Sequence, residues 1–314
     1  MEYLIAIDSG GTKTDAVLFD ETGHILMRDV SAGANGNDIG KENARDILLA
    51  AIKRLAAEAP KPVKAVYGGV AGGTYFGDYF CEEIGPKISA ERIRIEADTG
   101  ELISGMAGHV EGCGMVCGTG SGLGVRKFGR KLSVIGGRGY LVDAKGSGFS
   151  MAQEGMRRAI RAIDGRDEKT ILVELFEREL GQDLDSAMPR IYKGGRPYIA
   201  SFAHLIFEGR ELGDRVCYEI IEDGSFQLAE LTYAAEKHFD GEFPVVMGGG
   251  IVQSYPFYAD LVKAKASPRA KMILSNAAPV YGAAVEAMWD GGIDCGEAFK
   301  EVFVREYTEL KAKK

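Results

Sequence analysis

The chain has 314 residues, of which 46% are hydrophobic, and this size suits two domains with separate cores. Lysine and arginine total 38 against 46 aspartates and glutamates, which gives a formal net charge of −8. A net-negative surface offers little to nucleic acid or to an anionic membrane, so the charge argues against both as the main partner.

The N-terminal stretch YLIAIDSGGTKTDAVLF, residues 3–19, predicts a strand, a glycine-rich turn and a second strand. The turn DETG at 20–23 leads to a third strand, HILMRDV, which completes an antiparallel meander. The following elements are a loop at 31–40, an amphipathic helix at 41–59, strands at 63–73 and 92–98, and a helix at 100–108. The first domain is therefore predicted to be mixed α/β.

From residue 114 the pattern starts again. Residues 114–137 predict a strand, a Gly/Thr/Ser turn, a strand, a short turn and a strand, in the same order as at the N-terminus. This predicts an internal repeat of two related domains, the alternative being a chance likeness of two meanders. The remaining elements are helices at 148–163, 168–180, about 197–208 and about 214–238, a strand ending in glycines within 243–254 and then a helix, and helices at 278–288 and 296–312.

Membrane, disulfide and metal signals are weak in this sequence. No stretch approaches the roughly 20 apolar residues of a membrane span, and residues 1–3 enter a strand directly, so we expect a cytoplasmic protein. Five scattered cysteines fit reduced thiols better than a disulfide framework. The four histidines have no metal-ligand spacing.

Three glycine turns follow strands, in DSGGTKTD, CGTGSG and MGGGI. None has the P-loop pattern, and the first two run into strands where a dinucleotide-binding fold needs a helix. Adjacent glycines leave backbone N–H groups open to an anion. We therefore expect the first two turns to clasp a triphosphate between the domains and the third to hold the nucleoside.

Asp8, at the end of the first strand beside the phosphate turn, is a candidate Mg²⁺ ligand, although an aspartate there can also cap the tight turn. The candidate phosphate-binding residues are Gly10, Gly11, Thr12 and Lys13 in the first turn and Gly118, Thr119, Gly120 and Ser121 in the second. Gly248, Gly249 and Gly250 are expected to pack under adenosine.

Eight motifs in order resemble the BadF/BadG/BcrA/BcrD ATPase family, which includes N-acetylglucosamine kinases. They are DSGGTKTD, GANGNDIG, YGGVAGG, EADTGEL, CGTGSG, GGRGY followed by GSG, VVMGGGI and PVYGAA. The resemblance implies duplicated actin-like (ribonuclease H-like) domains with an interdomain cleft, and ATP, Mg²⁺ and a small sugar as ligands. We expect domains at 1–111 and 112–295, a C-terminal helix at 296–314 that packs back on the first, and a homodimer.

The resemblance assigns Asp98 as the catalytic base, since it matches the family's aspartate; a helix N-cap is the alternative, and both roles can coexist. Asn35 matches a sugar-contacting asparagine. The sugar loop departs from the kinases, because Arg138 and Ala144 stand where they carry Trp and an acidic residue. Gly137 and Arg138 are therefore candidate substrate residues, and the identity of the sugar stays open.

Two other functions stay open at this stage. Cys113 and Cys117 suggest the iron–sulfur ATPase activators of the same family, but buried strand thiols explain them better. A non-catalytic sugar-sensing protein that keeps the cleft is the second alternative. The expected function is ATP-dependent phosphorylation of an amino sugar.

Overall fold

The protein contains two mixed five-stranded sheets, in a computed structural model that describes residues 1–143 and 145–312. The strands are β1 Tyr3–Ser9, β2 Lys13–Asp20, β3 Ile25–Ala32, β4 Val63–Val70, β5 Ala90–Glu96, β6 Gly112–Cys117, β7 Ser121–Arg126, β8 Ser133–Ile135, β9 Phe243–Gly248 and β10 Ala270–Leu274. The order is β3-β2-β1-β4-β5 in one sheet and β8-β7-β6-β9-β10 in the other. Each strand thus has a counterpart, which confirms the predicted repeat and the α/β class.

Helices connect and cover these strands. They are α1 Gly36–Ile39, α2 Lys41–Ala57, α3 Gly73–Ile84, α4 Thr99–Ala107, α5 Gly148–Ile163, α6 Leu172–Leu180, α7 Leu184–Ser201, α8 Ala203–Glu211, α9 Arg215–Ala235, α10 Gly250–Ser254, α11 Pro256–Lys265, α12 Pro279–Asp290 and α13 Glu297–Ala312. Among the described residues, no helix combines the length and the apolar character needed to cross a membrane.

Contacts divide the chain into two compact units. The first unit comprises Met1–Gly114, Gly124–Ser133 and the described residues from Ser275 onward, and the second comprises Met115–Leu123 and Val134–Leu274. Residues 275–295, which the sequence analysis assigned to the second domain, lie in the first unit because α12 packs on β1 and β4.

The first sheet is buried on both faces, as its continuous apolar strands require. Along β1, Ile5 and Ile7 belong to the core under α2 and α3, whereas Leu4 and Ala6 belong to the core under α12 and α13. The C-terminal helix is fixed through Phe19 of β2, whose ring meets those of Phe299 and Phe303 edge-on at 5.8 and 5.4 Å.

In the second unit, α5 packs on α6, α7, α8 and α9, and α9 packs on α11. Helix α7 was only partly predicted, because Pro189, Pro197 and Gly195 interrupt its pattern. Gly195 has φ +62° and ψ −160°, so the helix breaks there and resumes at Arg196. The sequence analysis also did not predict α3. This helix begins directly after Gly72, a glycine whose backbone is in the left-handed conformation.

Candidate active site

The first glycine turn, Gly10–Thr12, joins β1 to β2 in the first unit. The N–H of Gly10 donates to the carbonyl of Lys13 at 3.0 Å and closes the hairpin. Among the described residues other than Gly10 and its two chain neighbours, no atom lies within 4 Å of the position that a Cβ on Gly10 would occupy. The turn therefore leaves open space beside its backbone, as a phosphate site requires.

Buried hydroxyls hold the base of this turn. The Thr14 hydroxyl donates to the carbonyl of Ala32 at 2.8 Å, so its contact of 2.7 Å with Ser9 is a bond that Ser9 donates. Ser9 in turn accepts from the N–H of Ala34 at 3.1 Å. This chain of bonds fixes the loop after β3 against the turn, and Asn35 follows in that loop.

Asn35 is buried and caps the short helix α1. Its Oδ1 accepts from the N–H of Asn37 at 3.0 Å, and its Nδ2 donates to Asp38 at 2.8 Å. The side chain thus has a structural role of its own in this loop. Contact with a sugar stays a prediction.

Asp98 follows β5 and precedes the first residue of α4. It is at the N-cap position with φ −56° and ψ −18°, but its side chain makes no capping hydrogen bond to the helix. An N-cap normally has extended backbone and accepts from the second or third helical N–H. The capping alternative therefore does not explain this aspartate, and the carboxylate is half-buried near the end of the strand.

Glu101 links Asp98 to Asp8. It is 1% exposed, it is hydrogen-bonded to Asp8, and its charge interacts with those of Asp8 and Asp98. Burial, followed by these two charges, raises the pKa of Glu101 well above its usual range. Burial raises the pKa of Asp8 to about 6, against the opposing effects of the bond to Glu101 and the charge of Lys13.

Asp8 and Asp98, which the sequence analysis identified, thus both act on the buried carboxyl group of Glu101, which it missed. A glutamate in the first turn of an otherwise apolar helix was the available signal. Gly69 provides the space, because a Cβ there would overlap Glu101. Within the described residues, Oε2 of Glu101 is buried without a hydrogen-bond partner.

Lys13, the predicted cation of the first turn, is half exposed and lies 3.3 Å from Asp15. Asp15 is already neutralised by Arg28, which donates to both of its oxygens at 2.8 and 2.6 Å. Tyr307 of α13 adds a third hydrogen bond at 2.9 Å. Burial raises the pKa of Asp15, but the hydrogen bonds and charges of these partners outweigh it and lower the pKa. Lys13 is therefore only one of several groups that stabilise the Asp15 carboxylate.

A buried network of ion pairs contacts α4. Glu286 of α12 is fully buried, and its oxygens accept from Arg126 at 2.9 Å and Arg94 at 2.5 Å. Arg126 also donates to the carbonyl of Gly100 and the hydroxyl of Ser104, both at 2.7 Å. The helix that begins after Asp98 is therefore tied to a charged cluster at its first two turns.

His109 closes the exposed side of this network. Its Nδ1 lies 3.1 Å from Glu286, and its ring stacks on Trp289 at 3.9 Å and on Phe128 at 5.3 Å. A cavity of about 460 Å³ adjoins it, lined by residues 104–109 and by residues between 281 and 300. None of the predicted site residues lines this cavity.

The second glycine turn, residues 118–120, joins β6 to β7. Gly118 N–H donates to the carbonyl of Gly120 at 2.9 Å. The first N–H groups of α5, from Gly148 and Phe149, donate to the carbonyls of Gly118 and Thr119 at 2.8 and 3.3 Å. Each of the three carbonyls of the turn therefore accepts a hydrogen bond, and these bonds fix the backbone of the turn.

The third glycine turn adjoins the second. Gly249 has φ +109°, and a Cβ there would overlap the backbone of Cys117. A Cβ on Gly118 would lie 3.6 Å from the nitrogen of Gly250, which begins α10. The structure thus brings the predicted phosphate and nucleoside turns side by side in the second unit, with Gly248 ending β9.

The predicted sugar loop, which contains Gly137 and Arg138, lies beside the residues that follow the second glycine turn. Gly137 has φ +69°, and a Cβ there would lie 3.0 Å from the Ser121 carbonyl oxygen, whereas the Ser121 hydroxyl donates to the carbonyl of Lys145 at 2.6 Å. Arg138 is 62% exposed and lies 4.0 Å from Asp143, so it has an internal partner and stays open to solvent. Ala144 lies outside the described residues.

Cys113 and Cys117 are both buried. Burial raises the pKa of the Cys113 thiol to about 12, and it raises that of Cys117 further. The Cys117 thiol donates to the carbonyl of Gly146 at 3.4 Å. Across the described residues no group of three or more metal-binding side chains forms a metal site. Thiols held protonated in this way are poor metal ligands and fit the packing interpretation.

The chain matches the BadF/BadG/BcrA/BcrD ATPase family over residues 5–287. It is 26% identical to N-acetyl-D-glucosamine kinase of Dictyostelium discoideum and 24% identical to N-acetylmuramic acid/N-acetylglucosamine kinase of Clostridium acetobutylicum, in each case over 91% of this chain and 98% of the other.

Solved structures share the fold. A protein of Chromobacterium violaceum superposes with a TM-score of 0.70 at 21% identity, over 90% of this chain and 98% of the other. A ROK family glucokinase of Streptomyces griseus, in complex with glucose and AMPPNP, superposes with a TM-score of 0.56 at 18% identity, over 91% and 98%. The predicted actin-like fold is confirmed, and the chain belongs to the BadF/BadG/BcrA/BcrD ATPase family.

Proposed function

We propose that this protein catalyses the ATP-dependent phosphorylation of a hydroxyl group on an amino sugar. The observation that carries the proposal is the position of Asp98, which is held at the start of α4 without a capping bond, in one carboxyl cluster with Asp8 beside the first glycine turn. The relatives named for N-acetylglucosamine and N-acetylmuramic acid kinase activity support an amino sugar as the substrate.

Asp98 is the proposed base. Its carboxylate accepts the proton of the sugar hydroxyl as the sugar oxygen forms a bond to the γ-phosphorus, and the bond from that phosphorus to the leaving oxygen of ADP breaks. The ion network around Glu286 and Arg126 orients this step indirectly, since it fixes α4 through Gly100 and Ser104. Positioning of the reacting groups, together with electrostatic stabilisation of the transferring phosphate, is the main source of catalysis in phosphoryl transfer.

Asp8 is the proposed Mg²⁺ residue, and the local chemistry fits. Mg²⁺ on a nucleotide is usually held through one or two carboxylates, waters and phosphates, so a complete protein cage is unnecessary. Burial raises the pKa of Asp8 and of its neighbour Glu101, and a bound dication would favour the charged forms of these two carboxyl groups. When bound, Mg²⁺ would neutralise charge on the transferring phosphate.

The proposed phosphate contacts are the remaining backbone N–H groups of the two hairpin turns, with Lys13 and the hydroxyls of Thr12 and Thr119. The N–H groups of Gly10 and Gly118 and the hydroxyl of Ser121 already donate within the protein, so glycine at 10 and 118 serves the close approach of the ligand. Asn35, Gly137 and Arg138 are the proposed sugar contacts. The proposal also includes a cytoplasmic reaction and a homodimer, and light scattering coupled to gel filtration would measure the latter.

The experiment is a screen of ADP release against a panel of sugars, with and without Mg²⁺. Sugar-dependent ADP release with formation of a sugar phosphate, identified by mass spectrometry, is the expected result. ADP release at the same rate with and without sugar would favour an ATPase activator, and iron bound to the protein after anaerobic purification would support that function. Nucleotide binding without ADP release would favour a sugar-sensing protein. Either outcome would refute the proposed kinase.

A further inference from the structure

The second glycine turn has no cation in its own sequence. The first turn is followed directly by Lys13, but CGTGSG contains no basic residue. In the structure a cation reaches the second turn from α7, because Arg196 lies against Gly120. A Cβ on Gly120 would overlap the Nη2 atom of Arg196, so glycine at this position is what lets the guanidinium approach the backbone.

The break in α7 determines where Arg196 lies. Gly195 adopts φ +62°, a conformation that favours glycine, and Arg196 begins the second segment of the helix. The side chain is half-buried, and its guanidinium carbon lies 5.6 Å from the centroid of the Tyr140 ring. This cation–π contact restricts the guanidinium to one side of the ring.

Tyr140 is itself attached to the turn. Its ring packs edge-on against Phe149 at 5.0 Å, and the N–H of Phe149 donates to the carbonyl of Thr119 at 3.3 Å. A continuous set of contacts therefore runs from the turn through α5 and Tyr140 back to Arg196. The guanidinium is held at the turn in advance of any ligand.

We propose that Arg196 binds a phosphate group of ATP at the second glycine turn. The inference rests on the proposed function, in that it takes ATP as the nucleotide. A guanidinium remains charged at every physiological pH and offers paired N–H donors that match phosphate oxygens. Arg196 thus supplies to the second turn the charge that Lys13 supplies to the first.

The test measures the affinities of adenosine, AMP, ADP and ATP for the wild type and for Arg196→Met by titration calorimetry. A control is available on the same helix, since Arg190 is exposed and also lies over a ring, that of Tyr198 at 5.9 Å. We expect Arg196→Met to weaken ATP binding about 10- to 100-fold, as loss of a hydrogen bond to a charged group does, and to leave adenosine binding unchanged. Arg190→Met should bind all four ligands normally.

The nucleotide series shows which phosphate is contacted. The loss of affinity in the variant should first appear with the nucleotide that adds this phosphate, and it should remain for the nucleotides with more phosphates. Arg196→Lys should restore part of the loss. Gly120→Ala should weaken ATP binding by displacing the guanidinium, and it should add little to Arg196→Met in the double variant.

Equal loss for adenosine and ATP, or no loss for either, would overturn the role of Arg196. Circular dichroism and thermal melting of each variant identify any general loss of folding. Wild-type protein that binds no ATP would instead refute the proposed function itself. The wild-type and variant titrations therefore test the two proposals separately.

Discussion

The two hairpin turns occupy equivalent places in the repeated sheets, yet their surroundings differ in charge. The first turn follows closely after Asp8, whose carboxyl group is hydrogen-bonded to that of Glu101, and its cation follows it directly in sequence. The second turn is held by the first N–H groups of α5, and its cation comes from a distant helix. In the proposed function, the same topology serves two tasks, chemistry in the first unit and retention of phosphate in the second.

The largest expected effect is that of Asp98→Asn, which tests whether the first unit supplies the chemistry. We expect kcat to fall by about 10² to 10⁴, the usual contribution of a general base, because the amide cannot accept the sugar proton. ATP affinity should change little, and its measurement is the control for folding. A variant with near-normal turnover would remove Asp98 from the reaction.

The next effect concerns the ion network that supports α4. Glu286→Gln removes the buried negative charge and leaves Arg126 with only its pair to Glu96 at 3.9 Å, so the free energy of unfolding should fall by about 3 kcal/mol. The matched control is Glu91→Gln, since Glu91 is 61% exposed in its pair with Lys64 and should change stability by less than about 1 kcal/mol. Urea denaturation measures both, and equal effects would contradict the role of the network.

The same glutamate predicts an acid dependence. Burial raises the pKa of Glu286, but the hydrogen bond from His109 and the charges of Arg126 and Arg94 outweigh it and lower the pKa to about 2 from an ordinary 4.5. Because the folded-state pKa is the lower one, this stabilisation is complete above pH 4.5 and is lost as the pH falls toward 2. The difference in stability between wild type and Glu286→Gln should narrow over that range, and a constant difference would contradict the assignment.

A smaller effect is expected at Asp8. Asp8→Asn should raise the Mg²⁺ concentration for half-maximal turnover by about 10- to 100-fold, because an amide is a poorer partner for a hydrated dication than a carboxylate. The loss of turnover should shrink as Mg²⁺ is increased. A normal Mg²⁺ dependence would place Asp8 outside the metal site, whatever its effect on stability.

The smallest effect tests the sugar loop of the second unit. Arg138 is exposed beside Asp143, so it can exchange that weak internal pair for a carboxylate on an acidic amino sugar. We expect the wild type to prefer N-acetylmuramic acid over N-acetylglucosamine in kcat/KM, and Arg138→Trp to reduce that ratio by about tenfold. Asp143→Asn is the control, since it removes the internal partner and keeps the arginine. An unchanged ratio in Arg138→Trp would make Arg138 structural.

The first turn could be predicted from sequence because its parts are local. Asp8, the glycines and Lys13 lie within six residues, and the continuous apolar runs on either side of the turn indicate the two strands of the hairpin. Asp98 was found because it ends a strand and matches a family motif. The repeat was visible because both copies keep the order of strands and turns.

The missed residues depend on contacts that no local pattern encodes. Arg196 reaches the second turn through a glycine break in a helix that also contains two prolines, so its direction follows from tertiary packing. Glu101 appeared to be an ordinary helix residue, and only the space beside Gly69 shows why it is buried. The sequence does not fix the direction of a loop side chain such as Arg138, which the structure leaves exposed next to Asp143.

The division of the first unit between both ends of the chain has a consequence for synthesis on the ribosome. Leu4 and Ala6 of β1 are covered by α12 and α13, which are translated after the whole of the second unit. Until those helices emerge, one apolar face of the first sheet is exposed on the nascent chain, and exposed faces of this kind promote aggregation. The second unit is complete in sequence earlier, so the unit that is synthesised first is the last that can finish folding.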